Sequence, residues 1–208
     1  MLFLYCGLLF LMTISPILSY TAISPLQNHL DVYKSSTTSL SATVKETLLK
    51  DPRFSIFASM IPAVADINAA IGDPKVGAGF NFLTVLAPSN EAFQKLDNGI
   101  LKKLASVDNL AILRKMIRFH FIEDILTSEE IYQRPSIDTL ALISVSIKPQ
   151  YGGMLGTGPV TGFKIAEAKI TRPDISCENG IIHEVDTLVS PFILFRYLVA
   201  KTGGFGGG

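Results

Sequence analysis

Three histidines, His29, His120 and His183, are the side chains of this 208-residue chain best suited to acid–base chemistry. An imidazole acting as a general base needs a cleft and a carboxylate or nucleophile placed to work with it. The sequence supplies no such partner at a telling spacing, and it contains no Gly-x-Ser-x-Gly elbow for a hydrolase nucleophile. Nor does it contain a His-x-x-x-His or Cys-x-x-Cys pair, the spacings that hold zinc. The run Gly156-Thr157-Gly158-Pro159-Val160-Thr161-Gly162 has the glycine density of a phosphate-binding loop. Such a loop joins a strand to a helix. Here it lies between strand-like runs, so it reads as a hairpin loop. Glu129-Glu130 reads as the solvated start of a helix.

Composition narrows the classes further. Hydrophobic residues make up 48% of the chain and charged residues 17%, which is enough apolar material for a core. The 18 basic and 18 acidic residues cancel, and no basic stripe supports a nucleic-acid partner. No charged residue precedes Asp31, and Leu2 to Leu18 is apolar apart from Gly7, Thr13, Ser15 and Pro16. Residues 1–19 are therefore expected to be a secretory signal peptide, with an uncleaved membrane anchor as the alternative. Cys6 lies in that run, so its removal leaves Cys177 as the mature chain's single cysteine. Cys177 reads either as a small buried hydrophobe or as a cross-link to a second chain.

Residues 20–40, with Pro25 and a Ser/Thr cluster at 35–41, read as a flexible leader. The elements that must position the histidines begin after it. Thr43 with Glu46 and Thr127 with Glu130 have capping-box spacing. Asp51-Pro52 starts a helix that buries Phe54, Phe57, Ile61 and Val64, is interrupted by Pro62 and stops at Gly72. Residues 82–87 read as a buried strand that turns at Pro88-Ser89 into a helix, with Ala92, Phe93 and Leu96 inward. Asn98-Gly99 is expected to end that unit. Residues 101–104 form a short helix, and Asp108 caps a longer one carrying Leu110, Leu113, Ile117 and Phe121 on one side. Ile143, Val145 and Ile147 alternate with serines as in a strand. Residues 163–170 and 181–189 read as two more strands, with Asn179-Gly180 as a tight turn. Helices first and strands later give an α+β domain. Residues 194–208 read as a tail ending in a mobile glycine-rich segment.

Three blocks in order resemble the fasciclin (beta-Ig/fasciclin) domain family. They are Thr84-Val85-Leu86-Ala87-Pro88-Ser89-Asn90-Glu91-Ala92-Phe93, then Phe119-His120, then Asn179-Gly180-Ile181-Ile182-His183-Glu184-Val185-Asp186 with Leu188 and Pro191 beyond. The resemblance covers residues 41–193. It implies an α+β wedge, a twisted β-sandwich core with helices packed around it. It also implies a non-enzymatic adhesion role with no cofactor or metal. The expected partner is a protein or polysaccharide of a matrix, cell wall or cell surface. Thr84, Pro88, Ser89, Phe93, Phe119, His120, Asn179, Gly180, His183 and Asp186 are then structural. Asn179-Gly180 would supply a turn of positive φ, and an inward His183 would tie strands together. Two positions depart from the family pattern. Phe119 stands where a tyrosine is usual, and Glu184 where an apolar residue is common.

In some members of that family a Glu-Pro-Asp-Ile-Met segment upstream of the closing block is linked to integrin binding. The matching residues here are Arg172-Pro173-Asp174-Ile175-Ser176, which makes Pro173, Asp174 and Ile175 candidate partner-binding residues. The other reading is that Asp174 and Ile175 anchor a strand turn. The sequence holds no glycosylation sequon and no apolar C-terminal anchor signal. With the expected export signal the protein would lie outside the cell, and without a C-terminal anchor signal it would be free or tethered to a membrane by its N-terminal segment. A Ser/Thr-rich stretch poor in acids at 24–47 leaves open a plastid address, with the protein as an interaction subunit there.

Overall fold

The computed structural model describes residues 42–72, 83–96, 98–104, 106–153 and 157–190. All of them belong to the unit that starts at Leu40. The expected signal peptide, leader and C-terminal tail lie outside the described residues. Among the described residues, no helix is long and apolar enough to cross a membrane.

Helix α1 (Val44–Lys50) opens where Thr43 accepts a hydrogen bond from the Glu46 amide. Asp51 then accepts from the Arg53 amide and starts a 3-10 turn at Pro52–Phe54, which runs into α2 (Ser55–Met60). Pro62 sits in a second 3-10 turn, Ile61–Ala63, because a proline cannot donate the next helical bond. Helix α3 (Ala65–Ala70) follows and ends two residues before Gly72. Strand β1 (Leu83–Pro88) leads through the Ser89 cap into α4 (Asn90–Gln94). Asn98-Gly99 does not end that unit; Asn98 opens α5 (Asn98–Leu104).

Asp108 is not a cap either. It lies within a 3-10 turn, Val107–Asn109, that precedes α6 (Leu110–Phe119). Leu113 and Ile117 are buried along that helix, but Phe121 has left it for β2 (Phe121–Ile122). Helix α7 (Ser128–Gln133) carries the full reciprocal box, Thr127 and Glu130 each capping the other's backbone. The strands β3 (Ser136–Asp138), β4 (Ser144–Tyr151), β5 (Val160–Ile165), β6 (Ile170–Cys177) and β7 (Gly180–Val185) complete the described elements.

Two expected strands are corrected. The 163–170 run is broken because Ala166 takes φ 54°, and the chain turns back with Ile165 and Ala168 exchanging backbone hydrogen bonds. The last strand stops at Val185, where Asp186 turns to hold Lys169. Ile143 also fails the alternation: it is exposed in the turn before β4, whereas Val145 and Ile147 are buried.

One sheet runs β2-β1-β7-β6 and the other β3-β4-β5. Strand β1 lies parallel to β7, Leu83 facing Gly180 through Pro88 facing Val185, and antiparallel to β2. A central strand flanked on both faces reads as continuously apolar, and every residue of β1 is buried. Leu83, Val85 and Ala87 pack with Phe54, Phe57, Phe93 and Met116 from the helices. Leu86 and Val185 face the other way, against Ile137, Val145, Ile147 and Ile165 of the second sheet. The result is the expected α+β architecture, with two sheets sharing a core and helices on the far face of the first.

Candidate functional site

The polar members of the three blocks sit inside this core, and each is committed to backbone groups. Thr84 is fully buried; its hydroxyl donates to the Asp124 carbonyl at 2.7 Å and accepts from the Leu126 amide at 2.8 Å. It thereby ties the 124–126 loop to β1. A buried hydroxyl left unmatched is destabilising, so this loop has little freedom to leave.

His120 caps the C-terminal end of α6. The Val189 amide donates to its Nε2 at 3.0 Å, which makes Nδ1 the protonated nitrogen, donating to the Met116 carbonyl at 2.8 Å. His183 uses the opposite tautomer. Its Nδ1 accepts from the Asp174 amide at 3.1 Å, so Nε2 donates to the Leu126 carbonyl at 2.8 Å. Burial pushes the His120 pKa down to about 4, against the opposing pull of the Met116 carbonyl. Burial lowers His183 as well, while the Leu126 carbonyl and the nearby Asp174 charge pull it up. A general base must offer a substrate its lone pair. In both rings that lone pair already holds a backbone N–H.

Asn179 and Gly180 are structural for a different reason than a turn of positive φ. Positive φ occurs at Leu142, Ala166, Asp174 and Gly153 among the described residues, not at this pair. Gly180 is required by close approach: a Cβ there would lie 2.1 Å from the Leu83 carbonyl oxygen. Asn179 is buried. Its Oδ1 accepts from the Val44 amide at 2.8 Å, and its Nδ2 donates to the Ile71 carbonyl at 3.1 Å. The hairpin turn between β6 and β7 thus holds the start of α1 and the end of α3 together.

The remaining block residues frame the sheet ends. Pro88 pairs with Val185, and Ser89 caps α4 by accepting from the Ala92 amide. Phe93 is fully buried in the helix-side core. Asp186 accepts from the Lys169 amide at 2.8 Å and faces Lys95 at 3.7 Å. Phe119 is buried among apolar neighbours between the sheets, where a ring without a hydroxyl has no polar atom to satisfy. The second departure, Glu184, is balanced by a residue the sequence reading did not single out. Arg53 reaches it at 2.6 Å while also pairing with Asp51, whose carboxyl is held below its usual range chiefly by that hydrogen bond.

Pro173, Asp174 and Ile175 lie together on β6, the edge of the first sheet. Arg172 pairs with Glu184 and Ile175 with Ile182, so Pro173 and Asp174 together oppose His183 in a bulge. Pro173 is exposed and has no amide to offer the ladder. Asp174 has φ 57°, and its carboxylate accepts from the Ser128 amide at 2.8 Å and the Ser128 hydroxyl at 2.6 Å. Ile175 is half-buried against the helix-side core. The three residues are therefore adjacent, with Pro173 facing outward, Asp174 half turned to α7 and Ile175 turned in. Ser128 carried no sequence signal beyond following a capping threonine. Cys177, at the end of the same strand, is fully buried, with Sγ 3.4 Å from the Thr47 hydroxyl, as the reading of a small buried hydrophobe requires.

Comparisons with known proteins agree with this geometry. The fasciclin domain model matches residues 52–191. The uncharacterized protein sll1735 of Synechocystis is 25% identical over 70% of this chain and 96% of its own length. Human periostin is 31% identical over 52% of this chain, a region that makes up 12% of periostin. Among solved structures, a FAS1 domain pair from the insect cell adhesion molecule Fasciclin I superposes with a TM-score of 0.58 at 19% identity, covering 74% of this chain and 52% of that one. The two sheets, the buried motif residues and a family match over most of the described residues lead to one conclusion: this chain belongs to the fasciclin domain family.

Proposed function

We propose that this protein is a non-enzymatic interaction module, exported from the cell, that binds a protein or polysaccharide of a matrix, cell wall or cell surface. The observation that carries the reading is the division of polar groups. Those of Thr84, His120, Asn179 and His183 are committed inside the fold, whereas Arg172 and Pro173 stand exposed on β6, the edge strand of the first sheet among the described residues. Edge strands are where a partner can add contacts without disturbing a core. The description of Fasciclin I as a cell adhesion molecule supports the same reading. Pro173 and Arg172 are the outward contacts, and Asp174 holds the bulge in shape through Ser128.

The test is binding of the purified chain to intact cells and to isolated wall or matrix material of the source organism. Saturable binding that weakens at least fivefold in an Arg172→Glu, Pro173→Gly variant is expected. Binding no stronger than that of an unrelated domain would refute the proposal.

A second reading keeps the interaction role and moves the address to a plastid. It is favoured by the Ser/Thr-rich stretch poor in acids at 24–47, which follows the expected export signal. Imaging the full chain with a C-terminal tag separates the two addresses.

A further inference from the structure

The β3–β4 hairpin holds a leucine where the isolated domain gains nothing from it. Leu142 has φ 58°, a backbone conformation that L side chains adopt only under strain. Its side chain is 95% exposed, so among the described residues no burial offsets that strain. Glycine or asparagine is the residue such a turn favours. The tip is nonetheless held firmly. Leu142 donates its amide to the Thr139 carbonyl at 2.9 Å, and the buried Thr139 donates its hydroxyl to the Ile143 carbonyl at 2.8 Å. Ile143 beside it is also exposed.

This tip forms one wall of an open cavity of about 400 Å³ between the hairpin and the loop after β2. The Leu140 amide donates to the Phe121 carbonyl at 2.8 Å and holds the hairpin beside β2. Its charged lining is Glu123, Asp124, Asp138 and Arg134. Arg134 is paired with Asp124 at 3.4 Å. Glu123 and Asp138 are exposed, so the cavity carries a net negative charge beside an apolar, preorganised anchor.

We infer that this cavity and the Leu142 tip form a second docking surface, for a protein segment presenting a Lys or Arg next to an apolar residue. The cation lies between Glu123 and Asp138, where its charge complements theirs. The apolar neighbour packs on Leu142, whose fixed position removes the ordering cost that a mobile loop would add to binding. This surface involves different residues from the β6 bulge and does not depend on it.

The experiment selects a phage-displayed random nonapeptide library on the immobilised full chain. Enriched peptides are expected to carry Lys or Arg beside an apolar residue. They should bind at least fivefold more weakly to Leu142→Gly, and likewise to the Glu123→Gln, Asp138→Asn double variant, while Pro173→Gly leaves them unchanged. Leu142→Gly should keep or raise the thermal midpoint, because glycine relieves the strained turn. The inference is overturned if nothing enriches, if enriched peptides are acidic, or if binding survives both cavity variants. A lowered midpoint in Leu142→Gly would make the leucine part of the fold and overturn it too. So would self-association of the chain that Leu142→Gly abolishes, since a second copy would then be the occupant.

Discussion

The ring of His183 and the backbone of Asp174 are joined across the β6 bulge: the Asp174 amide donates to Nδ1 at 3.1 Å. Two strand residues oppose one here, and the imidazole supplies the acceptor that the displaced amide would otherwise lack. The Asp174 carboxylate in turn caps α7 through Ser128. A block residue buried between the sheets thus sets the shape of the exposed segment proposed to meet a partner.

Acid should weaken the fold through its histidines. His120 stays neutral when folded down to about pH 4, whereas a free imidazole protonates near 6.5. Between those values the unfolded chain binds more protons, so stability falls as pH falls through that window. The gap corresponds to about 3 kcal/mol for His120. His183, shifted in the same direction, adds to the loss. Denaturant midpoints measured from pH 7.5 to 4 check this; a midpoint that rises on acidification would contradict it.

Gly180→Ala should destabilise by about 3 kcal/mol or more, since its Cβ would meet backbone oxygen and force β1 from β7. Gly162→Ala, whose nearest neighbour would lie at 3.9 Å, should change stability by less than about 0.5 kcal/mol. Thermal unfolding of the two variants side by side distinguishes close approach from a general intolerance of alanine.

The Arg53–Glu184 contact joins the first helical turns to β7, and its arginine is partly exposed. A double-mutant cycle with Arg53→Ala and Glu184→Ala should give a coupling of about 0.5–1 kcal/mol that shrinks in high salt. Zero coupling at low salt would mean that Glu184 is not balanced by Arg53.

Asp174→Ala removes the carboxylate that caps α7 and leaves a residue less tolerant of φ 57°. A loss of about 1–2 kcal/mol is expected. It should appear first as faster hydrogen exchange at Ser128 to Ile131, while amides of α1 keep their protection.

Local chemistry is what the sequence displayed most clearly. The Thr127–Glu130 box needs only residues three apart, and it forms in full. The all-buried β1 and the buried face of α6 were legible from their apolar spacing. Breaks set by backbone conformation were hidden, because Ala166 and Leu142 take positive φ without a glycine to mark the turn. Long-range ties were hidden too. Nothing near Arg53 announces Glu184, and nothing near Asp174 announces Ser128. At Asn179-Gly180 the place was legible and the cause was not, since the close approach to Leu83 exists only once β1 lies beside β7. The Arg172–Ser176 segment was visible as a candidate, but its bulge arises from the register with β7.

The claim that the histidines of the family blocks build the scaffold, leaving recognition to the surface, is tested most directly by nitrogen-15 NMR of the two imidazoles across pH. His120 is expected to carry its proton at Nδ1 and to titrate near 4, and His183 to carry its proton at Nε2 and to titrate below the ordinary imidazole value in the folded protein. Either ring titrating freely near 6.5, or carrying its proton on the other nitrogen, would contradict it.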